Sequence, residues 1–192
     1  MNILMISPDA PPYKSGVSCL VGLLRDGLEK VGHRVTLVHP KFKIRELKFS
    51  SIPFRRYSDN YDLIHLHGPT PFLSDLTLLT HCKRPIVYTH HAEVCWISKG
   101  ISNLYTRFHK FLAMKAQVII VHSHDYKTLF NGTNVTVIHM PCSIRRPQKI
   151  DIEQKTNPFT VLFVGQFRPF KGIDVLLKAA SMLSNVNFVL VG

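Results

Sequence analysis

The sequence predicts an α/β protein: a parallel sheet wrapped by helices, followed by the opening βαβ unit of a second such domain. Three observations carry that reading. Short apolar runs alternate with helical patterns along the chain, as parallel strands joined by crossover helices require. Hydrophobic residues make up 45% of the 192, enough to bury a core. Residues 142–158 break the pattern, being polar, charged and punctuated by Pro147 and Pro158, which is a linker composition.

Taken in order, Ile3–Ile6 reads as the first strand, and a turn-rich stretch runs from Ser7 to Gly16. Leu20, Leu24, Leu28 and Val31 recur at helical spacing, and Gly32 ends that helix. Arg34–Val38 is the second strand, and residues 41–60 are basic, polar and irregular. Leu63–Leu66 is the third strand, Pro71–Thr80 a short helix and Pro85–Thr89 the fourth strand. Ile101–Ala116 reads as a basic, aromatic-rich helix, with Val118–Val121 and Val135–Ile138 as the fifth and sixth strands. The expected boundaries are a domain over 1–144, a linker over 145–158 and the start of a second domain over 159–192. In that last piece, Phe159–Val164 is a strand, Gly165–Gly172 a loop, and Ile173–Leu183 a helix with Ile173, Leu176, Leu177, Ala180 and Leu183 inward. Asn187–Val191 is its second strand. One βαβ unit cannot bury both faces of its sheet.

Charge is lopsided: 24 Lys and Arg against 12 Asp and Glu give a net +12. Such a surface attracts polyanions, whether phosphate-bearing substrates, anionic lipid or nucleic acid. No nucleic-acid motif is present, so no nucleic-acid partner is expected. Cys19, Cys82, Cys95 and Cys142 form no CxxC pair and are expected to be reduced, buried thiols. Because the first strand starts at the N-terminus, no signal peptide is expected, and no apolar run approaches the roughly 20 residues of a membrane span. A cytoplasmic location follows as the expectation.

The common nucleotide motifs fail. No GxGxxG follows the first strand, and the second ends Val38-His39-Pro40 with no acid to take a ribose. Gly165-Gln-Phe-Arg-Pro-Phe-Lys-Gly172 is not a P-loop, because Phe170 and Gly172 stand where Gly and Ser or Thr are needed. It still precedes a helix whose free N–H groups favour anions, with Arg168 and Lys171 adding cations. It reads either as a diphosphate site that needs no magnesium or as a surface turn with solvated cations.

Six histidines cluster at expected strand ends: His65 and His67, His90 and His91, His122 and His124. Carboxyl ends of neighbouring parallel strands line one crevice, so several of them should meet. Three readings compete: structural histidines bonded to backbone, a zinc site, or a polar site contacting a substrate. No ligand spacing is diagnostic, so no metal or cofactor is expected.

With these residues in view, the chain resembles the family 4 retaining glycosyltransferases, which have the GT-B architecture of two facing Rossmann-like domains. Met1–Pro12 with Gly16 is similar to the family's opening strand and glycine loop, and Leu24–Val35 to its LxxxLxxxGHxV segment. Asp62–Gly68 resembles DVVHxHG, and Arg84–His91 resembles kPvVxTxH. Val118–Ser123 resembles the strand before the family's serine, and Phe163–Gly172 resembles VGRLxxxKG. The six pieces, in order, span the whole chain.

The resemblance implies a donor that is a nucleoside-diphosphate sugar and an acceptor that is a glycan or lipid-linked. It implies that Gly16 lies where a Cβ would obstruct the donor phosphates and that His91 contacts the transferred sugar. It implies that Lys171 neutralises the departing diphosphate, with Arg168 beside it and His67 on the donor side. Three departures stand out: Ser15-Gly16 in place of Gly-Gly, Gln166 where the family has Arg (Arg168 lies two residues on), and Pro141-Cys-Ser-Ile144 in place of NGVD. The rest of the family's donor domain, with the two-glutamate motif that grips the nucleotide, is missing from these 192 residues. This chain alone is therefore expected to be inactive, and a non-catalytic glycan-binding remnant remains the alternative. Residues 96–115 are basic and aromatic. They read either as a segment lying on an anionic membrane, peripheral at its inner face, or as a packing helix with a solvated basic face.

Overall fold

The computed structural model describes residues 1–13, 15–40, 42–44, 47–49, 60–80, 83–92, 99–130, 132, 134–141 and 159–192. Contacts divide the chain into two units, Met1–Ser143 and Ile144–Gly192. The expected linker over 145–158 lies outside the described residues, as do Cys82, Cys95, Trp96 and Cys142.

The first unit is an all-parallel six-stranded sheet in the order β2-β1-β5-β6-β7-β8. Its strands are β1 (Asn2–Ile6), β2 (Arg34–Val38), β5 (Leu63–Gly68), β6 (Ile86–His90), β7 (Val118–Val121) and β8 (Val135–Val137). The two short strands β3 (Phe42–Ile44) and β4 (Leu47–Phe49) pair antiparallel in a region expected to be irregular. The chain steps out from β1 to β2 and then returns past β1 to β5. Strand order thus reverses between β1 and β5, and open α/β sheets bind ligands at the carboxyl ends beside such a reversal.

The strands are apolar on both faces because helices cover both. On one face lies α1 (Gly16–Lys30), started by Ser15, whose hydroxyl accepts from the Ser18 N–H at 3.1 Å. It buries Leu20 and Val21. Leu24 and Leu28 are only half-buried, and Val31 is exposed because it caps the helix rather than lying within it. Cys19 also faces solvent, contrary to the expectation of a buried thiol. The other face carries α2 (Leu73–Leu79), α3 (Lys99–Ala113) and the five-residue α4 (His124–Thr128). There Leu66, Tyr88, Ile119, Leu73, Leu112 and Ala113 form the centre of the core.

The second unit is β9 (Phe159–Val164), a 3₁₀ turn (Pro169–Lys171), α5 (Ile173–Ser181) and β10 (Val186–Val191), with β9 and β10 parallel. None of these elements contains a buried residue; Leu177 and Leu183, expected inward, are exposed.

Candidate functional site

Side chains alternate between the faces of a strand, and that rule sorts the histidines. His65 and His67 on β5 share a face; His67 pairs with Thr89 on β6, so Thr89 and His91 fall on that face too. Thr89 pairs with Ile120 on β7, which carries His122 to the same side. His65, His67, His91 and His122 form a ladder of rings, with successive centroids 4.4, 5.2 and 5.3 Å apart. His91 Nε2 and His67 Nδ1 are 3.0 Å apart, and His65 Nε2 lies 2.8 Å from the Thr89 hydroxyl. His122 Nδ1–H donates to the Ile138 carbonyl at 2.9 Å. Four of the six histidines thus meet. His124 instead begins α4 and sits edge-on to His139.

The ladder is dry. His65 and His67 are buried, and burial lowers the His65 pKa to about 4. His67 is held well below its ordinary value, first by burial and then by the neighbouring His65, His91 and His122. Burial, with His122 and His65 adding, pushes His91 down to about 3. Both members of the His67–His91 pair are therefore neutral, and one must donate to the other. Whichever donates, one N–H and one lone pair are left over at His67 Nε2 and His91 Nδ1. Neither atom has a partner, and neither does His122 Nε2. Buried polar atoms are rarely left so, and these lie at the carboxyl end of the sheet.

Beside the ladder, a cleft of about 430 Å³ runs between α1 and the sheet. Leu24, Leu28 and Ile120 form its apolar wall, and His65, His67 and His122 its polar side. The cleft explains why α1 is only half-buried along that edge.

His90 falls on the opposite face, in a network that the sequence did not reveal. The Asp75 carboxylate can only accept, so His109 Nδ1–H donates to it at 2.6 Å and the Tyr105 hydroxyl at 3.2 Å. His109 Nε2 is hydrogen-bonded to the Tyr88 hydroxyl at 2.7 Å, and that hydroxyl to His90 Nδ1 at 3.3 Å. Burial, then Tyr105 and Asp75, raise the Tyr88 pKa well above its ordinary value, keeping it a phenol. The network ties α2 and α3 to the end of β6. Its one sequence signal is Tyr105 and His109, four apart on a helix and therefore on one face.

Gly68 ends β5 where a Cβ would come within 3.0 Å of the Tyr88 ring and 3.1 Å of Ser74 Cβ. A side chain there would have to push Tyr88 and Ser74 back by a few tenths of an ångström, in a core with little slack. At Gly16, by contrast, a Cβ would meet no protein atom within 4 Å, so packing does not require glycine at the mouth of α1. Phe72, just after Gly68, holds a φ of 69°, a conformation that costs a bulky residue energy. Among the described residues, no three His, Cys, Asp or Glu side chains form a metal-binding group.

In the second unit, Arg168 caps the 3₁₀ turn and Lys171 closes it, both exposed. Gly172 makes the entry to α5 with φ 69°, a left-handed position natural only for glycine. Lys171 Nζ lies 5.6 Å from the centroid of the Phe170 ring. Asp174 stands in the first turn of α5, so an anion bound there depends on the two side-chain cations as well as on the helix.

No family model matches the sequence. The O-antigen chain mannosyltransferase C of Escherichia coli is 29% identical over 174 residues, covering 83% of this chain and 46% of the relative. The chain thus spans about half the length of the curated relative it matches. Among solved structures, Anabaena HepE in complex with UDP is similar with a TM-score of 0.60 at 18% identity, over 99% of this chain and 60% of that one. The catalytic domain of Arabidopsis thaliana starch synthase IV, bound to ADP and acarbose, gives 0.57 at 13% identity, over 99% and 68%. Acinetobacter baumannii MurG gives 0.57 at 13% identity, over 98% and 57%. The chain is therefore related in sequence to a mannosyltransferase and has the Rossmann-like, parallel-sheet α/β fold of GT-B glycosyltransferases.

Proposed function

We propose that this chain carries the acceptor-side domain, and the opening of the donor-side domain, of a retaining glycosyltransferase. Its donor is a nucleoside-diphosphate sugar, with mannose the sugar suggested by the mannosyltransferase relative. Its acceptor is a glycan or a lipid-linked glycan. The observation that carries this reading is the neutral His67–His91 pair at the carboxyl end of β5 and β6, with an unpartnered nitrogen on each ring.

The chemistry divides between the two units. In transfer, the bond from the anomeric carbon to the diphosphate breaks, the acceptor hydroxyl oxygen bonds to the same carbon on the same face, and the hydroxyl proton passes to the departing diphosphate. Negative charge grows on the leaving group, where fixed cations are worth most. His91, with a pKa of about 3, supplies no charge near neutrality and is a weak base. Its role is to hydrogen-bond the transferred sugar from a dry, preset position, with His67 fixing its ring. The positive charge comes from Lys171 and Arg168. Gly16, open to any approaching phosphate, leaves room at the mouth of α1.

The test is turnover by the whole protein with a panel of nucleoside-diphosphate sugars, the mannosyl donor first. Release of nucleoside diphosphate, with product of the donor's anomeric configuration, is expected. No release from any donor would overturn the transferase reading, and an inverted product its retaining part.

A further inference from the structure

Helix α3 has two unlike sides. One packs into the core through His109, Leu112 and Ala113. Beside it runs a second apolar stripe that the described residues leave uncovered. Ile101, Leu104, Phe108 and Phe111 are 61, 71, 48 and 70% exposed. Their spacing of three, four and three residues puts them in one line along the helix. Leu76 and Leu79 on α2, which packs against α3, are also exposed. Soluble monomers rarely leave large contiguous apolar patches open.

Charge identifies what covers the stripe. No acidic residue occurs between Glu93 and Asp125, while Arg107, Lys110 and Lys115 follow the stripe. Lys115 Nζ sits over the Phe111 ring, 6.0 Å from its centroid, so a cation already stands against the end of the apolar stripe. A second copy of this chain would bring another molecule of net +12 against an all-cationic face. A nucleic acid would use the cations but give four large aliphatic and aromatic side chains nothing to enter. An anionic bilayer takes both. No described helix is long and apolar enough to cross a membrane, so the contact lies in the interface plane.

We propose that α3 docks the protein on an anionic lipid surface. Ile101, Leu104, Phe108 and Phe111 enter the headgroup–acyl boundary, and Arg107, Lys110 and Lys115 meet lipid phosphates. The proposal stands on the exposure and charge of one helix and does not depend on the transferase reading.

The test is sedimentation of the protein with vesicles of phosphatidylcholine alone or mixed with phosphatidylglycerol. Two double variants at exposed positions are compared, Leu104→Ser with Phe111→Ser and Arg107→Glu with Lys115→Glu, each checked for an unchanged melting temperature. Wild type should partition onto the anionic vesicles and be released by salt. Each double variant should lower partitioning by about tenfold or more. Wild type left in the supernatant with anionic vesicles at low salt would overturn the proposal. So would equal binding to neutral vesicles, or a serine double variant that binds as wild type does.

Discussion

Strand β1, helix α1 and strand β2 form a parallel βαβ unit, and β9, α5 and β10 form another. Yet four of the five residues of β1 are buried and none of the six of β9. Asn-Ile-Leu-Met-Ile and Phe-Thr-Val-Leu-Phe-Val are comparably apolar, so composition does not separate them. Neighbours do. β1 pairs with β2 and β5, whereas β9 pairs among the described residues only with β10. A βαβ unit therefore forms from local pattern, and its burial comes from the further strands beside it and the helices that cover them. The chemistry follows the same division: the first unit offers dry, neutral imidazoles and the second offers exposed cations.

Substitution in the two sheets should sharpen this contrast most. Leu66 is fully buried and Leu162 is 62% exposed. Leu66→Ala should cost about 2–5 kcal/mol of stability, and Leu162→Ala about 0.5 kcal/mol or less, read as urea unfolding midpoints. Equal losses would break the comparison.

Acid should act next, through the first unit. Unfolded, His65, His90 and His91 take up protons near 6.5; folded, they do so only near 4, 3 and 3. Between those values the unfolded chain binds more protons, so stability should be complete above 6.5 and fall as pH drops through that window. A flat stability profile from neutral pH down to about 4 would show that the ladder is wetter than described.

The smallest expected effect belongs to the second unit. Lys171→Ala should leave the melting temperature unchanged, because the side chain is exposed. It should weaken UDP or GDP binding to the whole protein by about tenfold, the worth of one charge-assisted hydrogen bond. Unchanged affinity by calorimetry would remove Lys171 from the phosphate site.

Much of the fold was legible because apolar runs and helical spacing are local. The errors have local causes too. The strand carrying His65 and His67 was expected to stop at Leu66, since polar residues look like a strand's end; it continues to Gly68 because its backbone goes on pairing with β6, His67 against Thr89 and Gly68 against His90. Period-two alternation could have separated His90 from His91, adjacent residues on opposite faces. The Asp75–His109 contact was not legible, because it joins residues 34 apart on two different helices. Nor was the cleft beside α1, since a leucine stripe looks the same in sequence whether its far edge is covered or open.

The most direct measurement is sugar transfer by the whole protein carrying either His91→Ala or His90→Phe. Phenylalanine at 90 keeps the edge-on packing against Tyr126 and Phe130. The account predicts that His91→Ala lowers transfer by about 100-fold or more, while His90→Phe retains most of it. Full transfer by His91→Ala would contradict the account and remove the histidine ladder from the chemistry.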